Sequence, residues 1–270
     1  MTLHALSRSE TRRHSGWYWL LGFYLSCFTF HTSATEVSVG RFDATHASVP
    51  PPWQIIRFDQ SAPPTSYSIQ DWDGIAAVEA RAESSMALLG RKVEIHLNDT
   101  PILCWRWRVD HVLKTADIHK RSGDDYAARI YLAFTLPEEA MSFTTKATLK
   151  IARSIWGKDM PDAAINYVWD NKHPIGLQIP NTYTSRAQMI VQQSGNAHAG
   201  KWIEERVNVK SDVSKLFDTD KAKLFLLAVA ADSDNTHESV KSGFADIHFV
   251  SEDQSCHFTP LIKHNLAKEK

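Results

Sequence analysis

Residues 103–110 read LCWRWRVD, in which Trp105 and Trp107 alternate with Arg106 and Arg108. Successive side chains of a strand point to opposite faces, so Leu103, Trp105, Trp107 and Val109 share one face and Cys104, Arg106, Arg108 and Asp110 share the other. Indoles and valine in register mark the core side. The guanidinium side must then meet water, a cleft or paired acids. A guanidinium fork matches a carboxylate bidentately, and aromatic faces pack on the apolar faces of sugar rings.

The same alternation recurs downstream. In GDDYAARIYLAF, Tyr126, Ala128, Ile130, Leu132 and Phe134 form an apolar face, and Asp125, Ala127, Arg129, Tyr131 and Ala133 form the other. In KWIEERVNV, Trp202, Glu204, Arg206 and Asn208 alternate with Ile203, Glu205 and Val207. If these strands pair, Arg106 and Arg108 lie beside Arg129 and Tyr131. A curved sheet so lined reads as a groove for a glycan or another extended polar ligand. Arg106, Arg108 and Arg129 would pair anionic or hydroxyl groups, Tyr131 and Trp202 would stack, and Glu204 and Asp232 would accept hydrogen bonds. The structural alternative is that these arginines make cross-strand Arg–Asp pairs, worth about 0.2–1 kcal/mol each.

Two further clusters bear on chemistry. Asp232, Asp234 and Asn235 follow an apolar run, and clustered oxygens of this kind suit calcium. The EF-hand spacing is not met, and the same residues cap turns through their own backbone. Asp124 and Asp125 are adjacent and so face opposite ways, which argues against the opposed carboxylate pair of a glycosidase. Asp125 with Glu204 or with Asp232 remains open for a hydrolase. A lyase would use a tyrosine or histidine base near an arginine, and Tyr131, Arg129, Arg106 and His119 supply the types. No nucleophile elbow, phosphate loop, paired-histidine zinc motif or Cys-x-x-Cys pair occurs. A net charge of -1 gives no electrostatic reason to expect nucleic acid.

The elements that must position these residues are short and β-branched or aromatic, bounded by Gly, Pro, Asn, Asp or Ser. Strands are predicted over 53–58, 75–82, 86–89, 93–97, 103–109, 127–134, 165–169, 187–192, 202–209, 223–231 and 245–250. One helix is predicted over 145–156, where Leu149, Ala152, Ile155 and Trp156 recur at helical spacing. Many strands without alternating helices predict an all-β fold, a jelly-roll-like antiparallel β-sandwich with one short helix. A single domain is expected over 36–260, with a flexible tail over 261–270.

Arg12 and Arg13 precede an uncharged run from Trp17 to Phe30, followed by Thr32-Ser33-Ala34. That is the layout of a signal peptide over 1–34, with a retained anchor as the alternative. The mature chain carries no apolar segment long enough to span a membrane, and is expected to be periplasmic or secreted. Export leaves Cys104 and Cys256 in an oxidising compartment, where they either pair or remain apart. Cys104 on an apolar strand reads more readily as a small buried hydrophobe.

Taken together, PILCWRWRVD, GDDYAARIYLAF, INYVWDN, the SG…GKWIEERVNV region and AVAADSDNTHESVKSGFADIHF resemble the bacterial domain of unknown function 3047 family, over about 40–249. The resemblance implies an exported single-domain β-sandwich, similar in outline to carbohydrate-binding jelly rolls. It brings no catalytic residues. A polysaccharide lyase or hydrolase acting in the same groove, and a structural envelope protein without a small ligand, are the alternative functions.

Overall fold

A computed structural model describes residues 36–58, 60–156 and 160–261, without the side chains at 151, 152 and 154–156. The signal-peptide reading, the tail beyond 261 and the expected apolar contacts of Ala152, Ile155 and Trp156 fall outside that set.

The strands are β1 (Val37–Gly40), β2 (Gln54–Ile56), β3 (Ser66–Trp72), β4 (Ile75–Glu83), β5 (Leu88–Ile95), β6 (Ile102–Val109) and β7 (Ala128–Thr135), followed by helix α1 (Phe143–Trp156). Then come β8 (Ala163–Asp170), β9 (Gln178–Pro180), β10 (Ala187–Ser194), β11 (Ile203–Asn208), helix α2 (Val209–Phe217), β12 (Lys223–Ala230) and β13 (Ser239–Val250). They form two sheets. One is six-stranded, ordered β11-β6-β13-β4-β3 with β1 paired to β13. The other is seven-stranded, ordered β2-β5-β12-β7-β8-β10-β9. The fold is an all-β sandwich.

Several details differ from the sequence-based expectation. The seven-stranded sheet is mixed, because β8 and β10 run parallel. A second helix, α2, replaces the end of the strand predicted over 202–209. Its start is fixed by Asn208, whose side chain accepts from the Ser211 amide at 2.9 Å. Asp218 ends it in the left-handed region at φ 52°. The segments predicted over 86–89 and 93–97 merge into β5. Strand β3 was not anticipated, because SYSIQDW carries few apolar residues and is held mainly by pairing with β4. The β3–β4 turn is the two-residue Asp73-Gly74, both at positive φ, which matches the right-handed twist of a hairpin.

Pleat parity holds along β6 and from Ala128 to Phe134 of β7, but not at the start of the GDDYAARIYLAF segment, where Ala127 enters the core and Tyr126 lies outside it with Val168 and Met189, under Arg129. Leu103, Trp105, Trp107 and Val109 of β6 lie in the main core with Ile130, Leu132 and Phe134 of β7 and Ile165, Tyr167 and Trp169 of β8. The two sheets interlock through aromatics: Trp105 meets Tyr167 at 5.6 Å between centroids, and Trp107 meets Trp169 at 5.7 Å. Two of their polar atoms are tied to the layer's edge. Trp107 Nε1 donates to Glu205 at 3.1 Å, and the Tyr167 hydroxyl donates to Asp212 of α2 at 2.7 Å. No helix among the described residues is long and apolar enough to cross a membrane.

Trp107→Ala opens a cavity at this junction and leaves Glu205 with Gln193 as its remaining donor. A loss of about 3–5 kcal/mol is expected, read as a lower urea midpoint at an unchanged slope.

Candidate functional site

The assignment of sheets decides where the predicted residues meet. Strands β6 and β7 belong to different sheets: β6 is flanked by β11 and β13, and β7 by β12 and β8. The expected pairing of Arg106 and Arg108 with Arg129 and Tyr131 is therefore corrected. Their inward neighbours share one core, so the two pairs of residues lie on opposite outer surfaces of the sandwich. The seven residues form two groups, with Arg106, Arg108, Trp202 and Glu204 on one surface and Arg129, Tyr131 and Asp232 on the other.

On the six-stranded sheet, Arg106 is 1% exposed rather than lining an open face. Its Nε lies 3.0 Å from Asp246, its Nη2 lies 3.2 Å from Glu204, and Phe258 covers the guanidinium at 5.0 Å. Asp246 reaches Arg106 because β13 is bulged: Ala245 pairs with Arg106 and His248 with Cys104, so three steps on one strand oppose two on the other. The extra residue, Asp246, sits at φ 51°. The only sequence signal was an acid inside the apolar run FADIHFV. Arg108 lies over Trp72 at 5.2 Å and pairs with Asp73 of the hairpin turn. Trp72 and Trp202 both pack over Gly243, where an added Cβ would lie 3.1 Å from each indole. These indoles are therefore half-buried and already in contact with protein.

The covering segment, residues 251–261, is fastened by a Cys104–Cys256 disulfide spanning 152 residues of sequence. This corrects the reading of Cys104 as an unpaired hydrophobe. Sequence carried both thiols but not the bulged register that aims Cys104 at the segment.

The second group is the denser one. Arg129 makes a bidentate pair with Asp232, through Nε at 3.0 Å and through Nη2. Both residues are buried, and the guanidinium also stacks on Tyr126 at 4.9 Å. Asp124 accepts from the Tyr126 hydroxyl at 3.0 Å and from Asn181 at 2.9 Å. Asp125 accepts from the Thr236 amide at 2.6 Å and from the Asn235 side chain at 3.0 Å, pinning the 232–236 loop. The carboxylates of Asp125, Asp232 and Asp234 converge, with ligand atoms within 4.8 Å of one another. Asn235 stands beside them, its side-chain nitrogen donating to Asp125. Asp125 thus joins Asp232 and Asp234 of the expected oxygen set. Asp125 was read only as a candidate acid, and the pairing that brings it here is long-range.

Four carboxylates around one guanidinium leave an excess of negative charge in a poorly solvated place. Burial pushes the Asp124, Asp232 and Asp234 carboxyls up from their usual range, and in each case Arg129 opposes the rise. Asp232 and Asp124 hold Arg129 protonated against its burial. Burial likewise raises Tyr131 to about 12, so its phenol stays neutral and unsuited to base catalysis at neutral pH. Asp234 Oδ1 and Thr236 Oγ1 are buried without a hydrogen-bond partner. Such a set can be neutralised by a proton or by a hard divalent cation.

Solvent reaches this end of the sandwich at two places. Tyr183 is exposed and carries Arg121 over its ring at 5.1 Å. An open cleft of about 810 Å³ is lined by Glu83, His111, Lys114, Asn196, His237 and Glu238, among others. Glu238 is fixed by the Lys114 and Thr115 amides at 3.0 and 2.9 Å. Ser84 and His237, both on the rim, sit at positive φ. His119, the candidate lyase base, is exposed and packs edge-on against His173 at 5.0 Å. Asp170 accepts from His173 Nδ1 at 2.9 Å.

The sequence profile of the family described as Protein of unknown function (DUF3047) matches residues 51–248, and the chain belongs to that family. Comparison with curated proteins gives no match.

Two outcomes follow from the acid–arginine cluster. Asp232→Asn leaves a buried guanidinium without its counter-charge and is expected to cost about 3–5 kcal/mol, measured by chemical denaturation. A carboxyl raised in the folded state contributes stability that is complete below its unfolded pKa and lost as pH rises through the folded value. Thermal scans in metal-free buffer should therefore show a smaller fall in Tm from about pH 4 to about pH 7 for Asp124→Asn than for the parent.

Proposed function

We propose that this family member is an exported binding module whose ligand, a glycan or another extended polar molecule, sits at the loop end of the sandwich. The observation that carries the reading is the open polar cleft of about 810 Å³. Its lining offers hydrogen-bond donors and acceptors of both charge signs, which suits a hydroxyl-rich ligand better than a strongly charged one. The 232–239 segment borders both that cleft and the carboxylate cluster. Exposed Tyr183, backed by Arg121, is a stacking surface close enough for the Asp124 and Asp234 charges to act on its phenol. The two indoles of the opposite outer surface are a weaker choice, because they are half-buried against Gly243 whereas Tyr183 is exposed.

Export is supported by the N-terminal layout and by the disulfide, which persists in periplasmic or secreted proteins. The cofactor in this reading is calcium, held by Asp125, Asp232 and Asp234. The unpartnered Asp234 Oδ1 supports the fit. Calcium would supply charge neutralisation there, holding the loop that borders the cleft.

A glycan array on the mature domain tests this reading, with Lys114→Ala, Tyr183→Ala and Arg108→Ala alongside the parent. Each of the first two is expected to weaken binding about tenfold or more, equivalent to about 1.4 kcal/mol, while Arg108→Ala on the far surface leaves it unchanged. Loss of binding with Arg108→Ala alone would return the ligand to the six-stranded sheet. Breakdown of the bound glycan would make the protein a hydrolase or lyase. Absence of any binding would favour a structural envelope role. Chelator treatment that leaves both Tm and binding unchanged would remove calcium from the account.

A further inference from the structure

The segment 251–261 crosses the outer surface of the six-stranded sheet and is held there by a small set of polar contacts around one buried histidine. His248, on β13, is fully buried. Its Nδ1 meets the Asp246 carbonyl at 2.6 Å, and a carbonyl can only accept, so Nδ1 carries the proton. Its Nε2 lies 3.2 Å from the His257 amide, which can only donate. His248 therefore holds the segment solely as the neutral Nδ1–H tautomer.

The neighbouring contacts have the same geometry of a strap and its buckle. The Asp246 carboxylate accepts from the Thr259 amide and hydroxyl, each at 2.8 Å. Phe258 covers Arg106 and packs edge-on against His248 at 5.8 Å. The Arg206 guanidinium donates to the Glu252 carbonyl at 2.7 Å, and Arg41 donates to the His257 carbonyl at 3.1 Å. The disulfide at Cys256 sits next to His257 and fixes the strap's register, so contacts beyond it can open without the chain drifting away.

We infer that residues 257–261 form an acid-sensitive latch: a proton added to Nε2 of His248 removes the acceptor for the His257 amide and frees the strap beyond the disulfide from the Arg106–Asp246 pair. The charged groups that act on His248 are Glu36 and Arg41 flanking β1 and Asp246 on its own strand, with His257 on the strap, while Arg106 on β6 meets the same Phe258 ring that packs on His248. Burial and Arg41 oppose the imidazolium, while the Asp246 carbonyl and Glu36 favour it, and the net direction is down. A histidine whose pKa falls on folding contributes stability that is present above its unfolded value and lost as pH drops through the folded one. Opening thus occurs on the acid side. It bares a preformed patch in which Asp246 and Arg106 present an acceptor and a donor side by side. This device is separate from the loop-end ligand site and does not depend on it.

Hydrogen–deuterium exchange on the disulfide-intact protein tests the latch, corrected for intrinsic exchange and compared at about pH 7.5 and about pH 5. Protection at 257–261 is expected to fall at least about tenfold on acidification while 251–255 and the sheet amides hold. His248→Gln keeps a neutral acceptor and is expected to abolish the acid response. His257→Gln leaves the backbone amide in place and is expected to retain it. Equal protection of the parent at both pH values would overturn the inference. So would an acid response that survives in His248→Gln but vanishes in His257→Gln, which would move the switch to the His257–Glu36 contact. If His248→Gln fails to fold, His248→Asn with the same readout replaces it, and persistence of the acid response there is equally fatal.

Discussion

A guanidinium lying against a packed sheet is tolerable only when a carboxylate meets it, and the architecture around β6 and β7 follows from that requirement. Arg106 and Arg129 are both nearly dry, and each has a buried aspartate as its partner. Neither aspartate is a sequence neighbour of its arginine. Asp246 arrives through a bulge in β13, and Asp232 through the loop that leaves β12. Removing water from a charge costs several kcal/mol unless a close counter-charge offsets it. These two long-range contacts therefore fix strand register as strictly as the apolar core does, since a slip of one residue would strand a charge.

Around these pairs the two surfaces of the sandwich diverge. The six-stranded sheet buries its arginine under a covalently fastened strap, and its outer indoles, Trp72 and Trp202, are half-buried against Gly243 with Arg108 over Trp72. The seven-stranded sheet concentrates acids at one end, where the loops after β4, β6, β10 and β12 gather. There Asp124 and Asp125 act as anchors for distant loop residues, so one buried charge cluster sets the shape of several loops. A rigid scaffold that holds loops by buried carboxylates while leaving a polar cleft between them is a common physical basis for ligand recognition.

Excess acid and solitary histidine make the molecule respond to pH in two opposed ways. The Asp124 and Asp234 carboxyls are raised by burial, so their protonation strengthens the fold. His248 is lowered by burial, and its protonation loosens the strap. The two effects lie on opposite surfaces and act through different strands. Acid can therefore tighten one end of the molecule while it loosens the other.

The sequence by itself determined the faces of the strands that display clear alternation, β6, β7 and β11 among them. The alternation in LCWRWRVD and ARIYLAF placed Trp105, Trp107, Ile130 and Leu132 in the core and the arginines outside it, because a pleat has period two whatever its neighbours are. It also determined the all-β sandwich, through many short β-branched and aromatic runs. Only the tertiary structure decided which strands share a sheet. Partner choice depends on contacts between residues tens to more than a hundred positions apart, and local pattern says nothing about those. Hence Arg106 and Arg129, alike in sequence context, ended on opposite surfaces. Cys104 met Cys256, and Asp125 joined Asp232 and Asp234. The bulge at Asp246 has the same cause: an acid at positive φ inside an apolar strand is stable only because Arg106 waits opposite it.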